Sequence, residues 1–321
     1  MHQVAQGKDP AAERRAERRA DTFDDLATRY RAYTQKRNKS WKQADALVRK
    51  YLLPKWGKLP AAGIVRADVK ALIASIEAPM LVNQILASAS AVFAWAIRED
   101  VVGIAVNPCV GVERNPTKSR ERVLSDTELP LFWAAFDAEG EVGAALKVIL
   151  LTGQRPGEVV HMRAEHIIDG GWWSLPGDPV PALDWPGTKN GASHRVWLSA
   201  GVQGIIGAEG AIFAEGAIFA GITGQLLSTA MRGICKRLGV ERATPHDLRR
   251  SNGTMITALG FGRDAMNRIQ NHREGGIADV YDQHQYVEEN KRIMNAVADR
   301  IMALIDGNSP NILTFKQKKS S

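Results

Sequence analysis

Cysteine is nearly absent from this 321-residue chain: Cys109 and Cys235 are the whole complement. They stand far apart and without metal-ligand spacing, which excludes a disulfide framework and a cysteine-based zinc site. Acidic residues and histidines nowhere cluster in a ligand-like pattern, so no metal or other cofactor is expected. No uninterrupted apolar run approaches the ~20 residues of a membrane span. The first residues read Glu13-Arg14-Arg15-Ala16-Glu17-Arg18-Arg19, which is no secretory leader. The expected place is the cytoplasm, and no membrane contact is expected. Charge of one sign does not dominate either. Lys plus Arg number 42 against 35 for Asp plus Glu, a net charge of +7. That excess is compatible with a polyanionic partner and says little more. What the chain does have is apolar residues: 45% is enough for a sizeable core and excludes a disordered chain.

The length suggests two domains. Residues 1–20 form a charged lead-in. From Asp21 apolar residues recur at helical spacing, with Phe23, Leu26, Tyr30 and Tyr33 on one face. Further helices are expected over Lys42–Leu52, Val69–Ile76 and Met80–Arg98, so residues 21–112 read as a small helical bundle. Residues 113–122 are polar, contain Pro116 and lack an apolar period, which makes them a linker. Their Arg114, Lys118, Arg120 and Arg122 suit a strap across a phosphate backbone as well as a solvated connector. Residues 123–305 form the second domain. Ser125 with Glu128 three residues on is a capping signature, and Ala144–Leu151 continues a helical pattern. A strand is expected at Trp172–Leu175. Trp185–Leu198 reads as a hairpin about the Asn190-Gly191 turn. Helices follow at Thr223–Leu238, Pro245–Leu259, Asp264–Gln270 and Tyr286–Ile305, then a flexible tail, 306–321. The fold class is mainly α with a small β-sheet, a helical domain followed by an α+β domain. A tandem hexapeptide, Glu209–Ala214 repeated as Glu215–Ala220, is too short for a repeat architecture.

Several residues carry chemistry. Thr244 and Pro245 open a helix, which puts His246 and Arg249 on one face of its first turn. Free backbone N–H groups there favour an anion. In Thr152-Gly153-Gln154-Arg155-Pro156-Gly157-Glu158 a helix stops at Gly153 and another starts at Pro156, leaving Arg155 at the junction and Glu158 in the next first turn. Taken alone, Arg155 reads as a surface arginine at a helix break. Lys189 sits just before the Asn190-Gly191 turn, a solvated position unless the hairpin bends over a substrate, and His194 faces the same question. Tyr281 follows His272 by nine residues. A tyrosine is a poor nucleophile unless neighbouring cations or a base activate it.

Arg, Lys, His-x-x-Arg, His and Tyr in this order resemble the tyrosine recombinase, or phage integrase, family. The Thr152–Glu158 segment, Lys189, His246 to Arg249, His272 and Tyr281 each match one of its motifs. The texture around Thr188-Lys189-Asn190-Gly191 and Val280-Tyr281-Asp282 also resembles genomic-island integrases. The resemblance covers about residues 21–305. It implies a helical core-binding domain over 21–112 and an α+β catalytic domain over 123–305. It implies double-stranded DNA at attachment core sites as substrate. It further implies a homotetramer on DNA with accessory bending or directionality factors, and exchange of the C-terminal helix between protomers. In the implied reaction Tyr281 is the nucleophile, and Arg155, Arg249 and His272 grip the phosphate. His246 handles the phenolic proton, Lys189 protonates the leaving oxygen, Glu158 supports, and no metal takes part. Type IB topoisomerases share this chemistry. A non-catalytic DNA-binding protein is the alternative of another class, and Tyr286 is a competing nucleophile. Asn271 departs from the family's usual glycine. Gly7-Lys8-Asp9-Pro10 looks like the end of an arm-site-binding domain, so a shortened or naturally shorter member is expected.

Overall fold

The computed structural model describes residues 21–38, 40–101, 103–118, 120–168, 170–207, 216–272 and 286–307. The expected lead-in over 1–20, Tyr281, the first copy of the hexapeptide through Ala214, and the tail beyond 307 lie outside them. The chain forms two compact units, 1–119 and 120–321.

The first unit is helical: α1 (Phe23–Gln35), α2 (Trp41–Leu47), α3 (Leu53–Trp56), α4 (Arg66–Ala74) and α5 (Pro79–Arg98). Thr22 and Asp25 close a capping box at the start of α1, with the Asp25 amide on the Thr22 hydroxyl (3.2 Å) and the Thr22 amide on the Asp25 carboxylate (3.0 Å). The helix expected to end at Leu52 runs on to Trp56 through a π-helical turn, Val48–Leu52. Pro54 explains this. It has no N–H to donate and its ring crowds the carbonyl four residues back, so a wider turn carries the helix past it. α5 is long and apolar enough by composition to cross a membrane, with mean hydropathy 1.6. Ile85, Ala89, Val92 and Phe93 on α5 are buried together with Phe23 and Leu26 of α1 in the core of this unit.

The second unit contains α6 (Glu128–Asp137), α7 (Gly140–Thr152), α8 (Pro156–Val159), β1 (Ile167–Ile168), β2 (Trp172–Leu175), β3 (His194–Trp197), α9 (Ala200–Ile206), α10 (Gly224–Leu238), α11 (Pro245–Ala258), α12 (Gly262–Ile269) and α13 (Val287–Ile305). The apolar run Ala145–Leu151 puts α7 at the centre, where α6, α9, α10, α11 and α13 all pack on it. Ser125 and Glu128 exchange hydrogen bonds of 3.0 and 3.2 Å just ahead of α6. The sheet is antiparallel in the order β1-β2-β3, with Trp172 opposite Trp197 and Leu175 opposite His194.

Two expectations need correction. The Trp185–Leu198 hairpin has one strand only. Trp185 bridges to Val180, and β3 pairs with β2. The first arm fails at Pro186, which has no N–H to give a ladder. At Gly187 a side chain would lie 2.5 Å from the Gly177 carbonyl. In the linker, Arg122 cannot act as a phosphate strap, because its side chain is 9% exposed and paired with Glu128 and Glu241. Arg120 donates to the Arg242 carbonyl (2.7 Å). The C-terminal helix α13 packs Ile293, Met294, Val297 and Ile301 into the core of the second unit. Of the second hexapeptide copy, Ala217 bridges to Arg163 and Phe219 is buried in the same core.

Candidate active site

Two helix junctions build the site. α7 ends because Gly153 adopts a left-handed conformation, φ 66°, with its amide on the Ile149 carbonyl (2.9 Å). Pro156 then opens α8, which leaves Arg155 between the two helices. Glu158, one turn on, takes both the Arg155 backbone amide (3.0 Å) and its guanidinium (2.9 Å). The second junction opens α11. Thr244 gives its amide and its hydroxyl to Asp247, each at 2.8 Å, and Pro245 occupies the first helical position. His246 thereby stands in the first turn while Arg249 faces the interior.

Arg249 is 2% exposed, an unusual burial for a charged residue. It donates to the Gly153 carbonyl (2.8 Å), to the Gln270 carbonyl (2.5 Å) and to His272 Nε2 (2.8 Å). Burial, and then the nearby charge of Arg155, lowers its pKa to about 9. Because arginine can only donate, Nε2 of His272 is the acceptor and the ring proton sits on Nδ1. The same surroundings hold His272 neutral, its pKa lowered to about 4 first by burial and then by Arg249 and Arg155. His246 is also lowered, mainly by burial, with Arg249, Arg250 and Lys189 adding to the effect and Asp247 opposing it. Lys189 is exposed at the loop tip, close enough for its charge to bear on His246.

The structure therefore brings Arg155, Glu158, Lys189, His246, Arg249 and His272 to one region of the second unit. Tyr281 lies outside the described residues. Tyr286, the competing tyrosine, has its ring under the Arg268 guanidinium at 3.9 Å, beside the start of α13. No cluster of metal ligands occurs among the described residues.

A buried polar frame behind these residues was not singled out from the sequence. Gln154 Nε2 donates to the Thr152 and Ile269 carbonyls (3.0 and 2.9 Å). Gln270 Nε2 donates to the Arg249 carbonyl (2.8 Å), and Asn252 Nδ2 to the Leu150 and Leu151 carbonyls (2.9 and 3.1 Å). His194 Nε2 meets the Ile269 carbonyl at 2.9 Å, so it serves the frame rather than the surface. The one available signal was three amides, Gln154, Asn252 and Gln270, each within three residues of a candidate cation.

The phage integrase family model matches residues 123–288, which contain every site residue named above. The chain also shares its fold with solved integrases of phage lambda and of a transposon. The lambda integrase dimer bound to a COC′ core site has TM-score 0.64 and 17% identity over 79% of this chain and 96% of that one. The lambda integrase tetramer bound to a Holliday junction has TM-score 0.66 and 17% identity over 84% and 80%. The Tn1549 transposon integrase in complex with transposon right end DNA has TM-score 0.56 and 15% identity over 87% and 98%. A search of curated protein sequences finds no match. By fold, this is a helical unit joined to an α+β unit of the integrase type. The chain belongs to the phage integrase family, whose members are site-specific DNA recombinases.

Proposed function

We propose that this protein cleaves and rejoins double-stranded DNA through a 3′-phosphotyrosyl intermediate at Tyr281, to integrate or excise a mobile element. The observation that carries the reading is the convergence of Arg155, Arg249 and His272. Arg155 Nη2 meets the Asn271 carbonyl at 3.2 Å and Arg249 Nη2 meets His272 Nε2 at 2.8 Å. Two cations thus stand at one peptide that ends nine residues before the tyrosine. Such an arrangement costs electrostatic energy in the free protein and suits an incoming phosphodiester.

In this mechanism the Tyr281 oxygen attacks phosphorus. The phenolic proton passes to His246, whose pKa is lowered by burial and by the neighbouring Arg249 and Arg250. Arg155 and Arg249 balance the charge growing on the non-bridging oxygens. His272 adds a hydrogen bond, for which Nδ1–H is the available proton. Lys189 gives a proton to the leaving 5′ oxygen, and Glu158 holds Arg155 in place. Resealing reverses these steps and conserves the bond energy. The proposed substrate is a duplex core site. Four protomers are the proposed assembly, as in the lambda tetramer on a Holliday junction, and the cytoplasm is the proposed location.

Covalent trapping tests this. A nicked duplex carrying the core site, and a supercoiled plasmid, are incubated with wild type and with Tyr281→Phe. The expected result is a protein–DNA adduct with wild type only, mapping to Tyr281. An adduct that persists in Tyr281→Phe moves the nucleophile to another residue. DNA binding without an adduct on either substrate makes the protein a non-catalytic binder, and relaxation without joining of two sites makes it topoisomerase-like.

A further inference from the structure

The loop that carries Lys189 is fastened to the site by a pair of asparagines. Asn190 Nδ2 donates to the Asn271 carbonyl (3.0 Å) and to Asn271 Oδ1 (3.2 Å). In return Asn271 Nδ2 reaches Asn190 Oδ1 (3.4 Å) and the Ala192 carbonyl (3.2 Å). The Asn190 side chain also organises its own turn, its Oδ1 accepting from the Thr188 hydroxyl and the Ala192 amide, both at 3.2 Å. The Asn271 carbonyl is the same atom that Arg155 Nη2 contacts. One peptide oxygen therefore joins the lysine loop to the arginine centre.

Two features say that this contact is particular to Asn271. Its φ is +48°, a left-handed conformation in which glycine is the easy choice and asparagine the next. A glycine would keep the backbone and the carbonyl but lose both Nδ2 contacts. Second, Lys189 is exposed and has a long flexible side chain, so where it reaches depends on where its loop is held.

We infer that Asn190 and Asn271 are positioning residues that lock the Lys189 loop to the arginine–histidine centre, so that the lysine's proton arrives as the 5′ oxygen departs. The inference rests on the proposed DNA cleavage by Tyr281. In the step concerned, the Tyr281 O–P bond forms and the P–O5′ bond breaks, with its electron pair moving to O5′. The proton from Lys189 Nζ completes the 5′-OH. If O5′ is replaced by sulfur, the leaving group is a thiolate. Thiols ionise near pKa ~8.5, so that departure needs no proton donor.

The test compares single-turnover cleavage of nicked duplexes with oxygen or sulfur at the scissile 5′ bridge, for wild type, Asn190→Ala, Asn271→Gly and Lys189→Ala. DNA binding and melting are measured alongside. Asn271→Gly and Asn190→Ala should slow the oxygen substrate by roughly 10- to 100-fold, a partial loss of the about 10²–10⁴-fold that general acid catalysis supplies. On the sulfur substrate they should cleave within about twofold of wild type, as Lys189→Ala should. Equal slowing on both substrates, or none on the oxygen one, would overturn the lock. If the asparagine variants retain the wild-type ratio while Lys189→Ala is rescued by sulfur, the lock alone is lost and the acid remains. If Lys189→Ala shows no oxygen–sulfur difference, the acid assignment goes and the lock with it. Absence of any adduct from wild type on the sulfur duplex sinks the underlying cleavage reading instead.

Discussion

Substituting Gly153 by alanine tests how the helix junction builds the site. A Cβ there would lie 2.3 Å from Asn252 Oδ1 and 3.2 Å from Gln270 Nε2. The residue also holds φ 66°, which costs a non-glycine residue about 1–2 kcal/mol. Overpacking adds about 1–3 kcal/mol. Asn252 yields only by loosening its bonds to the Leu150 and Leu151 carbonyls. Together these amount to roughly 2–5 kcal/mol, and for a unit of this size a kilocalorie moves Tm by about 2–4 °C. Gly153→Ala should therefore melt roughly 4–20 °C below wild type in calorimetry. It should also lose cleavage beyond the loss of folded protein, because the Gly153 carbonyl holds Arg249 at 2.8 Å. Gly157→Ala is the control. Its Cβ would meet nothing within 4 Å and it sits in α8, so its Tm should match or exceed that of wild type. A Gly153→Ala protein that melts with wild type would refute the account of the junction.

Other outcomes follow from the same geometry. Arg155→Ala and Arg249→Ala should each lower cleavage at least about a hundredfold, ~2.7 kcal/mol of transition-state stabilisation; wild-type rates in single turnover would remove that arginine from the site. His194 has its pKa lowered to about 4, chiefly by burial, against the usual 6.5. The unfolded chain then binds the proton first, so stability from this group is complete above about pH 6.5 and is lost as pH falls towards 4. That loss is roughly 3–4 kcal/mol at most, and a denaturant titration of His194→Gln should show a flatter acid limb. Arg122→Ala should lower Tm through its pair with Glu128 while leaving the salt dependence of DNA binding unchanged. A shallower salt slope would restore Arg122 as a phosphate contact.

The helix boundaries that make the site were legible because their signals are local. Gly153, Pro156, Thr244 and Pro245 act on their own backbone, and the structure puts the junctions where those residues stand. The candidate cations were legible for the same reason. What the sequence did not reveal depends on distant partners. Gln154 and Ile269 are 115 residues apart in the chain, and Asn190 and Asn271 are 81 apart. No local pattern marks an amide whose partner is that remote. The hairpin was misread because Asn190-Gly191 is a strong turn signal, while the failure of its first arm depends on where Gly177 packs. The helix expected to end at Leu52 runs on to Trp56 because the π-turn at Val48–Leu52 carries it past Pro54, and no local pattern marks such a turn.

The buried Arg249 beside Arg155 keeps a cation pair in place before any ligand arrives. In the free protein these two like charges are a strain that folding must overcome, and burial has already stripped Arg249 of water. A ligand of opposite charge meets cations that need no further dehydration and relieves a repulsion already in place. Truncating Arg249 would also strip donors from the Gly153 and Gln270 carbonyls and from His272 Nε2, and truncating Arg155 would leave the buried Glu158 carboxylate unpaired, so the fold and the cation pair depend on the same two side chains.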